Sequence, residues 1–264
     1  MKTPILDHGY LELVEHWGSD ERIIEAARMS TNKGFYSWAP YRACQKCPAW
    51  MDLDRINPPS NDDCEHDWRE VPKGDVGLLS YLWSNKHATP FEMAGMVIEV
   101  QAPIMVFREW HRHRTQSYNE MSARYTPLPD LNYIPTVERL MMNSKTNKQA
   151  ATVKDAEELT ESAARKFRKE LQWVYGHNQK LYEEALAAGV PKELARVHLP
   201  VGRYSRMRAC ANLRNWLAFL TLRMDSKAQW EIRQYANAVS TLIAAHYPRT
   251  WNLFVGGRSE AKTV

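Results

Sequence analysis

No run of eighteen or more apolar residues occurs in the 264-residue chain, so the sequence offers no transmembrane helix and no membrane partner is expected. The N-terminal stretch lacks the apolar core of a secretion signal, because Asp7, His8, Glu12 and Glu15 interrupt it. A cytoplasmic location is therefore the expectation. Neither a glycine-rich phosphate loop nor G-x-G-x-x-G is present, which argues against P-loop and Rossmann nucleotide sites. Internal repeats are missing too. Cysteine is scarce: of four residues, three fall between Cys44 and Cys64. Without an export signal, a metal site or plain thiols are expected before disulfides.

What remains is an ordinary globular composition, 44% hydrophobic and 25% charged. It suffices for a single domain over 1–264, carrying an insertion at about 33–75. The net charge of +4 is small but uneven. Arg108, Arg112, Arg114 and Arg124 crowd one segment; Arg196, Arg203, Arg206, Arg208, Arg214 and Arg223 crowd another. Arginine suits phosphate because its planar fork donates two hydrogen bonds and keeps its charge. A solvated surface is the plain reading of so small an excess; the clustering of arginine makes an acidic ligand the alternative.

Periodicity predicts a short strand at Tyr10–Val14 and a helix from Asp20, its N-cap, to Met29. Residues 33–75 are rich in Pro, Asp, Cys and Trp and read as an irregular insertion. A helix is expected at Val76–Asn85, a strand at Met96–Gln101, a helix at Ile104–His113 and a turn-rich stretch to Pro135. Further helices fit Thr152–Ala188 with Gly189 closing it, a piece opened by Pro191, Ala211–Leu222, and Asp225–His246 capped by Asp225 and stopped by Pro248. The fold class is α/β (α+β), a small sheet with several long helices.

The densest chemistry lies in Arg112–Tyr125, RHRTQSYNEMSARY. A charged helix end running into a solvated loop is the plain alternative. Solvated faces favour Lys and Glu, however, whereas this segment uses Arg, His, Asn and Ser, which give directional hydrogen bonds to phosphates and heterocycle edges. Arg112-His113-Arg114, seven residues, then Ser122 resembles the signature of the flavin-dependent (alternative) thymidylate synthases. Asn119-Glu120 and Arg124-Tyr125 match as well. So do Ser30 in ARMS, His87-x-Thr89-Pro90-Phe91-Glu92, GVPKELAR ending at Arg196, Asn212 with Arg214, and the block from Leu222. The likeness covers nearly the whole chain outside about 33–75.

The resemblance implies FAD held by Ser30, Thr89, Glu92, Arg112, His113, Arg114, Asn119, Glu120, Asn212 and Arg214. It implies dUMP held by Glu109, Arg112, Glu120, Ser122, Arg124, Arg196 and Arg223, with Arg223 the catalytic residue beside uracil N3. It further implies NADPH as reductant, methylenetetrahydrofolate as carbon donor, and a homotetramer whose sites form between subunits. No cysteine nucleophile is then needed, and Cys210 reads as a small core residue. Two positions depart from the pattern. Glu109 stands where glutamine is common, and Ala218 where Asn or His often lies near the flavin. A relative that hydroxymethylates a deoxynucleotide is one alternative. A nucleic-acid-binding protein using the arginines is another, although Glu92, Asn119 and Glu120 speak against it.

The insertion adds Cys44-x-x-Cys47 and Cys64-x-His66, separated by sixteen residues. These are suitable ligands for a structural zinc, with ordinary surface-loop thiols as the alternative.

Overall fold

The computed structural model describes residues 1–53, 64–143, 151–153 and 157–260, with side chains to 257. Strands β1 (Lys2–Ile5) and β2 (Gly9–Trp17) form an antiparallel hairpin pairing Ile5 with Gly9. Gly9 is required there: a Cβ would lie 2.0 Å from the Tyr235 hydroxyl and 2.5 Å from the Ile5 carbonyl. The strand expected at Tyr10–Val14 is the middle of β2.

Helix α1 (Asp20–Arg28) follows, and its cap is Ser19, whose Oγ accepts from the Arg22 N–H at 3.4 Å. Asp20 is thus not the N-cap expected from sequence. Its carboxylate is buried and accepts from the N–H groups of Arg249 (2.8 Å) and Thr250 (3.1 Å). It therefore caps a different helix, α9 (Pro248–Glu260), where a negative charge meets exposed N–H groups and the positive helix end.

The insertion is not irregular where it is described. It contains β3 (Tyr41–Cys44), β4 (Trp50–Asp52) and β5 (Trp68–Val71), an antiparallel sheet in the order β4-β3-β5. Strands of three or four residues are too short to show a period, which is why they escape a pattern search. Residues 54–63 of the insertion lie outside the described residues.

After α2 (Gly74–Ser84), β6 (Gly95–Pro103) alternates buried Met96, Ile98, Val100 and Ala102 with half-exposed Glu99 and Gln101. Helix α3 (Ile104–Trp110) is shorter than expected, and the turn-rich stretch beyond it contains β7 (Ser117–Glu120). Next come α4 (Val137–Met141), α5 (Glu161–Ala187) and α6 (Lys192–Ala195). Helix α5 is capped by Thr160 rather than beginning at Thr152, and residues 154–156 of the expected helix lie outside the described residues.

Strand β8 (Tyr204–Asn212) overturns the expected helix start at Ala211. Met207, Ala209 and Ala211 are buried while Arg206 and Arg208 are exposed, so part of the arginine cluster is one face of a strand. Helix α7 (Leu213–Arg223) begins after it. Helix α8 (Trp230–His246) starts later than Asp225, whose carboxylate instead closes a turn onto the Lys227 N–H at 2.8 Å. Pro248 not only ends α8 but opens α9. The larger sheet has the order β1-β2-β6-β8-β7, with β7 antiparallel to β8.

By contact, the chain falls into two compact units. One comprises Met1–Val14, Val97–Cys210 and Phe219–Val239. Its core stacks Trp110 on Phe219 at 4.7 Å, and Tyr235 donates to the Gln101 carbonyl at 2.8 Å. Buried Arg203 binds the Leu128 carbonyl and Gln179, so it is structural and not open to an outside phosphate. The other unit comprises Glu15–Met96, Ala211–Ala218 and Ser240–Val264. Its core includes Ile23, Ile24, Leu79, Trp216 and Tyr247, and Trp216 donates to the Met96 carbonyl at 3.1 Å.

Candidate active site

Helix α3 buries Val106, Phe107 and Trp110, which leaves Glu109 on its open side. The chain then turns through Arg112-His113-Arg114. This turn is fastened from within: the Trp110 indole donates to Gln116 at 3.0 Å, and the Tyr118 hydroxyl donates to the His113 carbonyl at 2.6 Å. Burial pushes Tyr118 up to about 12, so it remains a donor. A freely solvated loop would not be pinned in this way. Arg112 and Arg114 are exposed, and neither is paired with a carboxylate among the described residues. Two such neighbouring cations fit an anionic ligand such as the phosphates of FAD or dUMP.

Arg223, the last residue of α7, reaches this turn. Its Nε donates to His113 Nε2 at 2.9 Å, Nη1 to the Glu109 carboxylate at 2.8 Å, and Nη2 to the Glu109 carbonyl at 2.9 Å. His113 also meets the edge of Phe219 at 4.9 Å. Burial first, and the neighbouring guanidinium second, lower its pKa to about 4. The ring is therefore neutral at pH 7, accepts on Nε2 and carries its proton on Nδ1. Three of the guanidinium's N–H groups are held, and one on each terminal nitrogen remains to donate. Arg223 lines a cleft of about 310 Å³ together with Thr221, Leu222, Asp225, Lys227 and Ala228. The structure thus brings together three residues expected at the site from separate motifs. Phe219, which supports the histidine, carried no signal of its own in the sequence.

Asn119 and Glu120 stand on edge strand β7, opposite Arg208 and Met207. Asn119, Arg206 and Arg208 help line a second cleft of about 400 Å³, where Glu99 bridges Arg208 (3.4 Å) and the Tyr10 hydroxyl (2.8 Å). Cys210 is half-buried on β8 opposite Ser117. Ser122 opens a tight turn and its hydroxyl accepts from the Arg124 N–H at 3.3 Å. Arg124 pairs with Glu193 of α6 at 3.3 Å, and Lys192 donates to the Tyr125 carbonyl at 3.0 Å. These contacts set α6, and Arg196 at its end, against the Ser122 turn. The Arg124–Glu193 pair is solvated and weak.

The remaining expected FAD residues belong to the other unit. Thr89 and Glu92 bound a 3₁₀ turn, and Glu92 pairs with Arg214 at 2.8 Å. Asn212 caps α7 by accepting from the Asn215 N–H at 2.9 Å, and the Leu213 N–H donates to the Ala94 carbonyl. Ala218 is exposed one turn beyond Arg214, on the same helix face. Ser30 lies exposed in the 3₁₀ turn Met29–Thr31 that ends α1, and α1 packs on the Thr89–Glu92 turn.

A network the sequence did not reveal stands beside Ser30. Buried Asp75 accepts from Arg28 Nη1 (2.9 Å) and Nη2 (2.5 Å), the Tyr41 hydroxyl (2.7 Å) and the Tyr36 N–H (2.8 Å). Burial first, then the hydrogen bond to Asp75, raises the Tyr41 pKa, keeping the phenol a donor. The four possible metal ligands, Cys44, Cys47, Cys64 and His66, also converge, with donor atoms within 4.8 Å of one another.

The chain as a whole is similar to known proteins. The model of the family described as "Thymidylate synthase complementing protein" matches residues 12–249. A flavin-dependent thymidylate synthase from Thermosipho africanus is 34% identical over 97% of this chain and 94% of that protein. One from Thermus thermophilus is 34% identical over 96% of this chain and 78% of its own length. Among solved structures, a UMP/dUMP methylase, PolB from Streptomyces cacaoi bound with 5-Br UMP, superposes with a TM-score of 0.71 at 25% identity, covering 96% of both chains. The same methylase bound with 5-Br dUMP gives 0.70 at 27% identity. A family model spanning most of the chain, together with relatives that match nearly all of this chain, places this protein in the flavin-dependent thymidylate synthase family.

Proposed function

We propose that this protein converts dUMP to dTMP, using methylenetetrahydrofolate as carbon donor, FAD as hydride carrier and NADPH as reductant of the flavin. The observation that carries the reading is Arg223: its guanidinium is fixed by Glu109 and His113, keeps two N–H donors in hand, and lines a cleft. Uracil C5 is a weak nucleophile until charge is drawn toward the ring carbonyl and N3, and preoriented donors supply that stabilisation. Neutral His113 holds Arg223 without adding a competing positive charge. Glu109 orients the fork through both its carboxylate and its carbonyl. In the reaction C5 gains a methylene unit and a hydride and loses its proton. Bound FAD, once reduced, supplies the hydride.

Ser122, Arg124 and Arg196 form the candidate phosphate seat for dUMP. Ser30, Thr89, Glu92, Arg112, His113, Arg114, Asn119, Glu120, Asn212 and Arg214 are the candidate FAD contacts. Ala218 gives up a polar contact there but no required charge. A homotetramer is part of the proposal. It is supported by exposed Phe167, Val174 and Leu181, spaced seven residues apart on α5 beside exposed Trp173. No described helix is long and apolar enough to cross a membrane.

The test is an anaerobic absorbance experiment followed by mass spectrometry of the product. Flavin bands should bleach with NADPH and return when dUMP and methylenetetrahydrofolate are added together, giving a product heavier by one CH₂ unit. Because the Streptomyces methylase is described with both UMP and dUMP, UMP belongs in a parallel arm. A hydroxymethyl product, or a protein that takes up no FAD, would refute the proposal.

A further inference from the structure

The described part of the insertion adds only a small apolar core of its own. Its buried cluster is Tyr36, Tyr41 and Ala43, with Trp50 and Val71 packed on it. The strands over it are three or four residues long. A metal would add stability to elements this short. At one end of the sheet, in β3 and the turns beside it, lie three thiols and one imidazole.

We propose that Cys44, Cys47, Cys64 and His66 bind one structural zinc ion, and that this ion braces the Arg28–Tyr36 segment carrying Ser30. Three features support the site. First, the four donor atoms lie within 4.8 Å of one another, and Cys47 Sγ is 3.4 Å from His66 Nδ1. Zinc–sulfur bonds of about 2.3 Å in a tetrahedron put ligand atoms about 3.8 Å apart, so small side-chain rotations complete the geometry. Second, the backbone forms a knuckle: the Cys44 N–H donates to the Ala49 carbonyl at 2.9 Å, the Gln45 N–H to the Asp67 carbonyl at 2.9 Å, and the Lys46 N–H to Cys44 Sγ at 3.3 Å. An N–H aimed at sulfur favours a thiolate and orients it for metal. Third, three soft sulfurs and an imidazole select zinc over hard cations, and four protein ligands leave no open position for a catalytic water. Binding displaces the thiol protons to solvent and leaves a net charge of about −1.

The consequence for the neighbouring segment follows from its contacts. The Lys33 ammonium donates to the Cys44 carbonyl at 3.3 Å, which ties the chain just after Ser30 to a ligand residue. Arg28, just before Ser30, donates to the Gly34 carbonyl and to the Tyr41 hydroxyl on the same strand β3. Asp75 gathers Arg28, Tyr36 and Tyr41 into one knot. A metal that holds β3 to the Cys64–His66 turn therefore holds both ends of the Ser30 segment.

The test is elemental analysis of the purified full-length chain after passage over a weak chelator, combined with hydrogen exchange. About one zinc per chain is expected, falling at least tenfold in Cys64→Ser. Stripping zinc from the wild type with a strong chelator should speed amide exchange in 28–44 at least tenfold, with exchange in β6 unchanged. Cobalt added to the stripped wild type should give thiolate-to-metal absorption, which does not depend on any variant folding. Less than about a tenth of a zinc per chain with no cobalt bands, or a Cys44–Cys47 disulfide found by mass spectrometry, overturns the site. Bound zinc whose removal leaves 28–44 unchanged overturns the bracing. None of these readouts requires flavin or turnover, so they stand or fall separately from the methylation reading.

Discussion

Arg223→Ala separates ring activation from cofactor binding. The substitution removes three contacts within the protein and the two N–H donors left for a ligand. Its cost to folding should be small, because the abandoned Glu109 side chain is 44% exposed and water can solvate it. Its cost to the reaction should be large. Hydrogen bonds from a charged donor contribute about 1.5–3 kcal/mol each, so two that strengthen at the transition state amount to about 3–6 kcal/mol, roughly 10²–10⁴ in rate. The assay is steady-state methylation across a range of dUMP concentrations in saturating methylenetetrahydrofolate, with flavin content read in parallel. We expect kcat and kcat/KM to fall together while flavin binding holds within about threefold, the pattern of an interaction made mainly in the transition state. The same variant should raise the His113 pKa part of the way from about 4, because the guanidinium is the second cause of its depression and burial, the larger one, remains. Turnover within about threefold of wild type would refute the role assigned to Arg223. So would loss of flavin matching the loss of rate.

Two further predictions concern stability. Asp75 is fully buried beside an Arg28 that is 15% exposed, so Asp75→Asn strands a cation and should cost about 3–5 kcal/mol in denaturant unfolding; a loss under about 1 kcal/mol would show that the knot around Arg28 is not needed. His113 has a folded-state pKa near 4 against an ordinary value of 6.5. Between those values the unfolded chain binds more protons than the native one, so this group makes stability rise with pH across that window and fall as the solution is acidified. His113→Gln should flatten the dependence of Tm on pH between about 4 and 6.5 relative to wild type, and identical slopes would contradict the neutral, buried imidazole.

Much of the candidate site was legible in the sequence because its motifs are local. Arg112-His113-Arg114, the Ser122 turn and the Thr89–Glu92 turn are each built by consecutive residues, and their chemistry can be read from side-chain types alone. Long helices were legible for the same reason: a run such as Glu161–Ala187 repeats its 3.6-residue period many times. Where the reading failed, a partner distant in sequence decided the outcome. Asp20 looks like a cap for the helix it begins, yet its carboxylate faces the N–H groups of Arg249 and Thr250. The last two residues of β8, Ala211 and Asn212, look like the start of a helix because alanine favours one. They belong instead to a strand that lies between β6 and β7 in the sheet, and Asn212 then caps the helix that follows.

By itself, then, the sequence determined the family, the arginine-rich segments, the periodic helices and the four possible zinc ligands, since all of these reside in residue type and short spacing. Only the tertiary structure decided that Arg223 is held by Glu109 and His113, from residues 114 and 110 positions away. It alone made His113 neutral, paired Arg214 with Glu92 and buried Asp75 beneath Arg28. The physical reason is common to these cases. A charge's protonation and partner depend on burial and on which distant segment packs against it, and neither quantity exists until the chain has folded.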